Sequence, residues 1–258
     1  MTNNDETLAR KVIALLDLTS LNDTDDDARI VQLCHKAMTA VGPVAAVCVF
    51  PRFVALARRT LDRIGGQGVA VATVCNFPAG TANLPDVLAE IRQALEDGAS
   101  EIDVVYPYRA LLAGDAASGF TLVAACKALC EGRALLKVIL ETGELNDPVL
   151  IRNASQDAIA AGADFIKTST GKVKVNATAE AAQIMLACIA DSDATVGFKP
   201  AGGMATLAQA LVYLWLAERL LGSQWVGPRH LRFGASSLLD DLLRKAGHEP
   251  LAPTQGGY

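Results

Sequence analysis

Short apolar, β-branched runs alternate with longer segments of helical period along almost the whole chain. That alternation restricts it to folds built on a parallel sheet. Eight runs stand out: LLDLT (15–19), VAAVCVF (44–50), VAVATV (69–74), EIDVV (101–105), ALLKVIL (134–140), DFIKT (164–168), TVGFK (195–199) and LRFG (231–234). Their ends follow one another at a mean step of about 31 residues, the length of one βα unit. Thr24 with Asp27 reads as a capping box, with Asp25, Asp26 and Asp27 in the first turn of the helix it starts. Gly98 and Gly162 precede runs four and six in matching contexts, LEDGASEID and AIAAGADFIK, where a left-handed glycine ends a helix. Eight units with no linker between them predict the α/β class and a single (β/α)8 TIM barrel over residues 1–246. A flexible C-terminal tail, GHEPLAPTQGGY (247–258), follows it. An open doubly wound sheet is the alternative that the same pattern allows.

Composition removes several classes of function. With 51% hydrophobic residues in 258, the chain has material for one large core and is not a disordered tail protein. Its 23 basic and 28 acidic residues leave a net charge of −5 with no basic stripe, so neither nucleic acid nor an anionic membrane is an expected partner. No apolar run approaches the ~18 residues of a spanning helix. The first segment lacks a basic n-region and its apolar run is cut by Asp17, which argues against a secretory signal. The six cysteines are scattered without a C-x-x-C pair, which fits a reducing, cytoplasmic setting. His35, His230 and His248 form no H-E-x-x-H or H-x-H motif, so no metal is expected.

In a closed barrel the working residues stand at the C-terminal ends of strands. Lys167, in DFIKTSTG, and Lys199, in TVGFKPAGG, hold such positions on strands six and seven. A lysine on a strand covered on both faces needs a partner or a purpose. Lysine's ordinary pKa of about 10.4 leaves almost no neutral amine at pH 7. Burial and a second ammonium on the next strand both favour the neutral form, the arrangement that makes a Schiff-base nucleophile. Lys137, in the middle of strand five, reads instead as a buried ion-pair member. Among the carboxylates near the rim, Asp17, Asp103 and Glu141, Asp103 has two readings: a base or proton relay, or a partner of Arg109 or of a lysine that only orders the rim.

Three glycine-bearing loops follow the last three strands: STGK (169–172), AGG (201–203) and GASS (234–237). Barrels often hold phosphate at this place, because bare backbone N–H groups and a helix dipole point at the anion. The three loops together, with Lys172 at hand, argue for a phosphate ester. The residues alone leave open a sugar-phosphate isomerase, a longer-chain ketose aldolase, or a non-enzymatic sugar-phosphate sensor.

DFIKTSTGK, VGFKPAGG, FGASSLL, EIDVVYPYRAL, LKVILETGEL and LLDLTSLNDTD together resemble the enterobacterial-type deoxyribose-phosphate aldolases over nearly the whole chain. The resemblance implies a class I aldolase of (β/α)8 fold that needs no metal or organic cofactor. It would interconvert 2-deoxy-D-ribose 5-phosphate with D-glyceraldehyde 3-phosphate and acetaldehyde in deoxynucleoside catabolism. Lys167 would carry the Schiff base, Lys199 would be the second lysine and Asp103 the proton relay. Phosphate contacts would fall on Gly171, Lys172, Gly202, Gly203, Gly234, Ser236 and Ser237, while Asp17, Cys48 and Thr168 would line the substrate pocket. Tyr258 would fold over the site and assist proton transfer; twelve residues at ~3.3 Å each reach far enough. A homodimer is the assembly the family suggests. One departure stands out: many relatives read GGVRT after the glycine pair, whereas this chain has Met204 and Ala205, so a guanidinium near the phosphate loop is missing. For Cys48 two readings compete, alkylation by an enal formed from two acetaldehydes or a buried core thiol.

Overall fold

The computed structural model describes residues 3–250. Eight parallel strands form the barrel: β1 (Leu16–Ser20), β2 (Ala46–Val49), β3 (Ala70–Cys75), β4 (Glu101–Val105), β5 (Leu135–Ile139), β6 (Phe165–Lys167), β7 (Gly197–Lys199) and β8 (Phe233–Ala235). They are laid side by side in chain order, and β8 returns to pair with β1. The remaining seam closes by two parallel bridges, Phe198 with Leu231 and Ala201 with Gly234. Four backbone hydrogen bonds across it, among them Phe198 N to His230 O at 2.7 Å, leave no free sheet edge there. The open-sheet alternative is thereby overturned: closure satisfies the edge amides that an open sheet leaves bare. All eight expected runs are strands, with ends that differ from the expected ones by at most two residues.

The helices are α1 (Asn3–Ile13), α2 (Asp27–Ala37), α3 (Val54–Arg63), α4 (Leu84–Glu96), α5 (Tyr108–Leu112), α6 (Ala117–Cys130), α7 (Thr142–Leu145), α8 (Pro148–Ala160), α9 (Ala179–Ala190), α10 (Leu207–Leu221) and α11 (Leu238–Lys245). The short final helix α11 packs against α1, which completes the outer layer. A two-residue antiparallel ribbon, Met38–Thr39 with Gly42–Pro43, follows α2. The expected cap of α2 is corrected: Asp26, not Thr24, is the N-cap, and its carboxylate accepts from Arg29 N at 2.8 Å. Asp is as good a cap as Thr, and three aspartates in a row leave the choice to backbone geometry. Gly98 and Gly162 have φ of +100° and +92°, as a left-handed helix end requires.

Alternation along each strand sorts the side chains into two environments. Outward residues such as Leu16, Val47, Val71, Ile102, Leu136, Ile166 and Phe198 meet the helices in one continuous core. Inward residues divide. On β2 and β3 they are small and apolar, with Ala46, Cys48, Ala72 and Val74 packed on Leu21. On the β4–β8 side they are charged. Gly197 is required at the floor of the barrel, since a Cβ there would lie 2.3 Å from the ring of Phe165. Among the described residues no helix is long and apolar enough to cross a membrane.

Candidate active site

Seven charged side chains from β1 and from β4 to β8 point into the barrel and form one buried cluster. Three are carboxylates: Asp17 from β1, and Glu101 and Asp103 from β4. Four are cations: Lys137 from β5, Lys167 from β6, Lys199 from β7, and Arg232 just before β8. Each is at most 6% exposed. Buried charges persist only when paired and hydrogen-bonded, and here almost every one is multiply paired. Lys137 reaches Glu101 (2.5 Å), Asp103 (3.0 Å) and Asp17 (3.4 Å). Lys199 reaches Asp17 (2.5 Å) and Asp103 (2.7 Å), and Arg232 reaches Asp17 (2.7 Å) and Glu101 (2.8 Å). Lys167 has a single carboxylate, Asp103 at 2.8 Å, and shares that same oxygen with Lys199.

This inequality separates the proton affinities of the lysines. Burial works against every ammonium in the cluster. For Lys199 and Lys137 the surrounding carboxylates overcome it and hold the proton more firmly than in water. For Lys167 burial outweighs the pull of Asp103, and the Lys199 ammonium adds to it, so its pKa falls below the ordinary lysine value. Burial alone would raise Asp103 and Asp17. The neighbouring cations instead hold both carboxyls ionised, Lys137, Lys167 and Lys199 acting on Asp103. Lys167 and Lys199 are direct register partners on β6 and β7, as adjacent strands six and seven imply. Asp103 pairs with three lysines and not with Arg109, which stacks on Tyr108, so of the expected partners it is lysine that the structure gives.

Lys167 is also the one charged member of this cluster that reaches the wall of a cavity of about 210 Å³ at the C-terminal mouth of the barrel. Its other walls include Gly171, Lys172, Gly202, Gly203, Gly234 and Ser236, so residues from all three glycine-bearing loops converge there. Gly171, Gly202 and Gly203 have φ between +76° and +84°, a backbone conformation that side chains rarely adopt. Gly202 is doubly constrained, because a Cβ would also lie 2.7 Å from the Asn176 carboxamide carbon. The Lys172 ammonium donates to the Leu21 carbonyl at 2.6 Å, tying the loop after β6 to the loop after β1.

Other expected residues are placed elsewhere. Asp17, Asp103 and Lys199 lie beneath the cavity, fully buried. The Thr168 hydroxyl accepts from Ala201 N at 3.0 Å and so braces the loop after β7. Ser237 is the N-cap of α11 and is not part of the cavity wall. Cys48 belongs to the apolar patch, where burial and the nearby Asp103 push its thiol pKa up and disfavour the thiolate that would attack an enal. Glu141, in a left-handed conformation after β5, accepts from Thr170 N and Oγ1. Tyr258 and the rest of 251–258 lie outside the described residues. Among the described residues no cluster of three His, Cys, Asp or Glu could hold a metal.

Thr19, Asn22, Thr170 and Asn176 also line the cavity, and Arg232 and Glu101 complete the buried cluster; none was expected from the sequence. For the last two the signal was present. A strand covered on both faces makes an arginine in LRFG and a glutamate opening EIDVV as conspicuous as a lysine.

The sequence profile of the DeoC/LacD family aldolases matches residues 11–242. Similar solved structures include a Toxoplasma gondii protein provisionally described as a deoxyribose-phosphate aldolase. It is 25% identical with a TM-score of 0.88, over 95% of this chain and 98% of that one. A Coccidioides immitis protein with the same provisional description is 27% identical with a TM-score of 0.78, over 91% and 85% of the two chains. The tetrameric deoxyribose phosphate aldolase of Aeropyrum pernix shares the fold, at 22% identity and a TM-score of 0.75 over 94% and 97%.

Proposed function

This chain belongs to the DeoC/LacD family of aldolases, and from that premise we propose that it is a class I aldolase that reversibly cleaves 2-deoxy-D-ribose 5-phosphate to D-glyceraldehyde 3-phosphate and acetaldehyde. The observation that carries this reading is the position of Lys167: the least compensated cation of the buried cluster, opening into the cavity walled by the three glycine-bearing loops. The reaction begins when the neutral Lys167 amine attacks C1 of the open-chain aldehyde. Loss of water leaves an iminium ion, which draws electrons from the C2–C3 bond as the C3 hydroxyl gives up its proton. Glyceraldehyde 3-phosphate departs and an enamine of acetaldehyde remains. Protonation at C2 and hydrolysis then free acetaldehyde and the lysine.

Asp103 contacts both lysines and is the group through which protons pass between Lys167, Lys199 and the reacting atoms. Ala46, Cys48 and Ala72 provide short side chains on the opposite side of the barrel, suited to a two-carbon donor. Backbone amides of the glycine loops, with Lys172, would hold the phosphate. The role lies in the catabolism of deoxyribose phosphates, in the cytoplasm, by a homo-oligomer. Incubation with acetaldehyde and borohydride, followed by peptide mass spectrometry, tests the proposal. A reduced two-carbon adduct on Lys167 is expected; an adduct on another lysine, or none, would overturn it.

A further inference from the structure

The ionised interior of the barrel holds one more cation than anion: Lys137, Lys167, Lys199 and Arg232 against Asp17, Glu101 and Asp103. Loss of one proton makes the buried cluster neutral, and Arg232 cannot be the group that loses it. We propose that Arg232 and Glu101, neither of which lines the substrate cavity, are positioning residues that maintain this excess of one charge from below and thereby select Lys167 as the amine that releases its proton. The proposal rests on the Schiff-base reading of Lys167 and extends it to residues that reading does not use.

The geometry is specific. Glu101 lies two residues before Asp103 and Arg232 two before Gly234, so both point inward one layer deeper than the reacting groups. The Arg232 fork donates through Nη2 to Glu101 Oε1 at 2.8 Å and through Nη1 to Asp17 Oδ1 at 2.7 Å; its Nε binds the Pro228 carbonyl. Holding Oδ1 of Asp17 in this way turns Oδ2 toward Lys199, which donates to it at 2.5 Å. Glu101 in turn accepts from Lys137 at 2.5 Å, and Lys137 donates to the free oxygen of Asp103 at 3.0 Å. Two chains of contacts therefore run from Arg232 and Glu101 to Asp103. They leave Lys167 with one shared oxygen.

The groups around Lys167 are accounted for on every side. Asp103 comes from β4, Lys199 from β7, Lys137 from β5, Asp17 from β1 and Cys48 from β2, with Glu141 after β5; β3 presents Ala72 and Val74, which carry no charge. The ammonium of Lys172 is engaged by Leu21.

The sign of each substitution follows from charge alone. Arg232→Gln removes a cation, so Lys167 keeps its proton to higher pH; Glu101→Gln removes an anion, so Lys167 loses it at lower pH. One unit charge in a barrel interior is worth on the order of one pH unit at a neighbouring site. The readout is the rate of adduct formation at Lys167 with acetaldehyde and cyanoborohydride as a function of pH, since acetaldehyde has no titrating group of its own. The acid limb of that profile should move up by roughly one pH unit in Arg232→Gln and down by a similar amount in Glu101→Gln. It should return close to the wild-type position in the double variant and stay there in Arg232→Lys. A purely structural role would lower the rate at all pH values without moving the limb. Should Arg232→Gln fail to fold, the direction in Glu101→Gln decides. Limbs that do not move, or that move in the same direction, overturn the inference while trapping at Lys167 persists. Absence of trapping at Lys167 in the wild type would instead overturn the Schiff-base reading.

Discussion

Replacing Lys199 with methionine tests the electrostatic core of the mechanism, because it removes the second ammonium and keeps an unbranched side chain of similar length. Lys167 and Lys199 donate to the same oxygen of Asp103 at 2.8 and 2.7 Å. With a near-tetrahedral angle at that oxygen their nitrogens stand ~4.5 Å apart. At an effective dielectric constant near 20, two unit charges at that distance repel by about 4 kcal/mol, which corresponds to roughly three pH units in the pKa of Lys167. The variant also leaves Oδ2 of Asp103 to Lys167 alone, while Lys137 keeps Oδ1, a change of the same sign. Lys167 should therefore hold its proton far more tightly, and the neutral fraction at pH 7 should fall by on the order of 10²- to 10³-fold. The assay is kcat/KM for cleavage of 2-deoxyribose 5-phosphate measured from pH 6 to pH 10, with melting temperature as a control. A deficit that shrinks steadily with rising pH is the expected result. Asp17 keeps Arg232 at 2.7 Å and Lys137 at 3.4 Å, so the fold should survive. A constant deficit over the whole range would refute the reasoning, since it would mean that Lys199 acts only in proton transfer or as a structural tie and adds nothing as a source of positive potential.

Two further predictions concern the phosphate loop and acid stability. The missing guanidinium at Ala205 predicts weaker discrimination between phosphorylated and unphosphorylated sugars. Ala205→Arg should raise the ratio of kcat/KM for deoxyribose 5-phosphate over deoxyribose by about tenfold, the worth of one charge-assisted contact, and an unchanged ratio would count against it. Asp17 and Asp103 titrate below the ordinary value of 3.8 in the folded protein because lysines and Arg232 surround them. Carboxyls depressed on folding stabilise fully above their unfolded pKa and lose that contribution as pH falls. Urea midpoints should therefore not reflect these two groups between pH 7 and pH 5 and should drop below pH 4; Asp17→Asn should show a smaller drop. Equal drops in variant and wild type would remove Asp17 from the account.

The barrel was legible because each βα unit carries its own local signals. Both covered faces of a parallel strand make DFIKT or TVGFK a short apolar run, and a lone lysine within it is conspicuous. Lys167, Lys199, Asp103 and the three glycine loops could be named for that reason. Thr19, Asn22, Thr170 and Asn176 could not, because polar residues in rim loops look alike until the loops are folded over one cavity. The cap of α2 was misplaced by the same local ambiguity among adjacent polar residues.

What the sequence by itself determined is the repeat, the parallel sheet and the placement of charge at strand ends, all set by periodicity over a few residues. Only the tertiary structure decided that β7 meets β8, and that closure brings Arg232 within 2.7 Å of Asp17 and Lys199 within 2.5 Å of the same carboxylate. A proton affinity is the sum of burial and of charges drawn from strands distant in the chain. The difference between two lysines in almost identical contexts, one holding its proton more firmly than in water and one less, exists only once the barrel is closed.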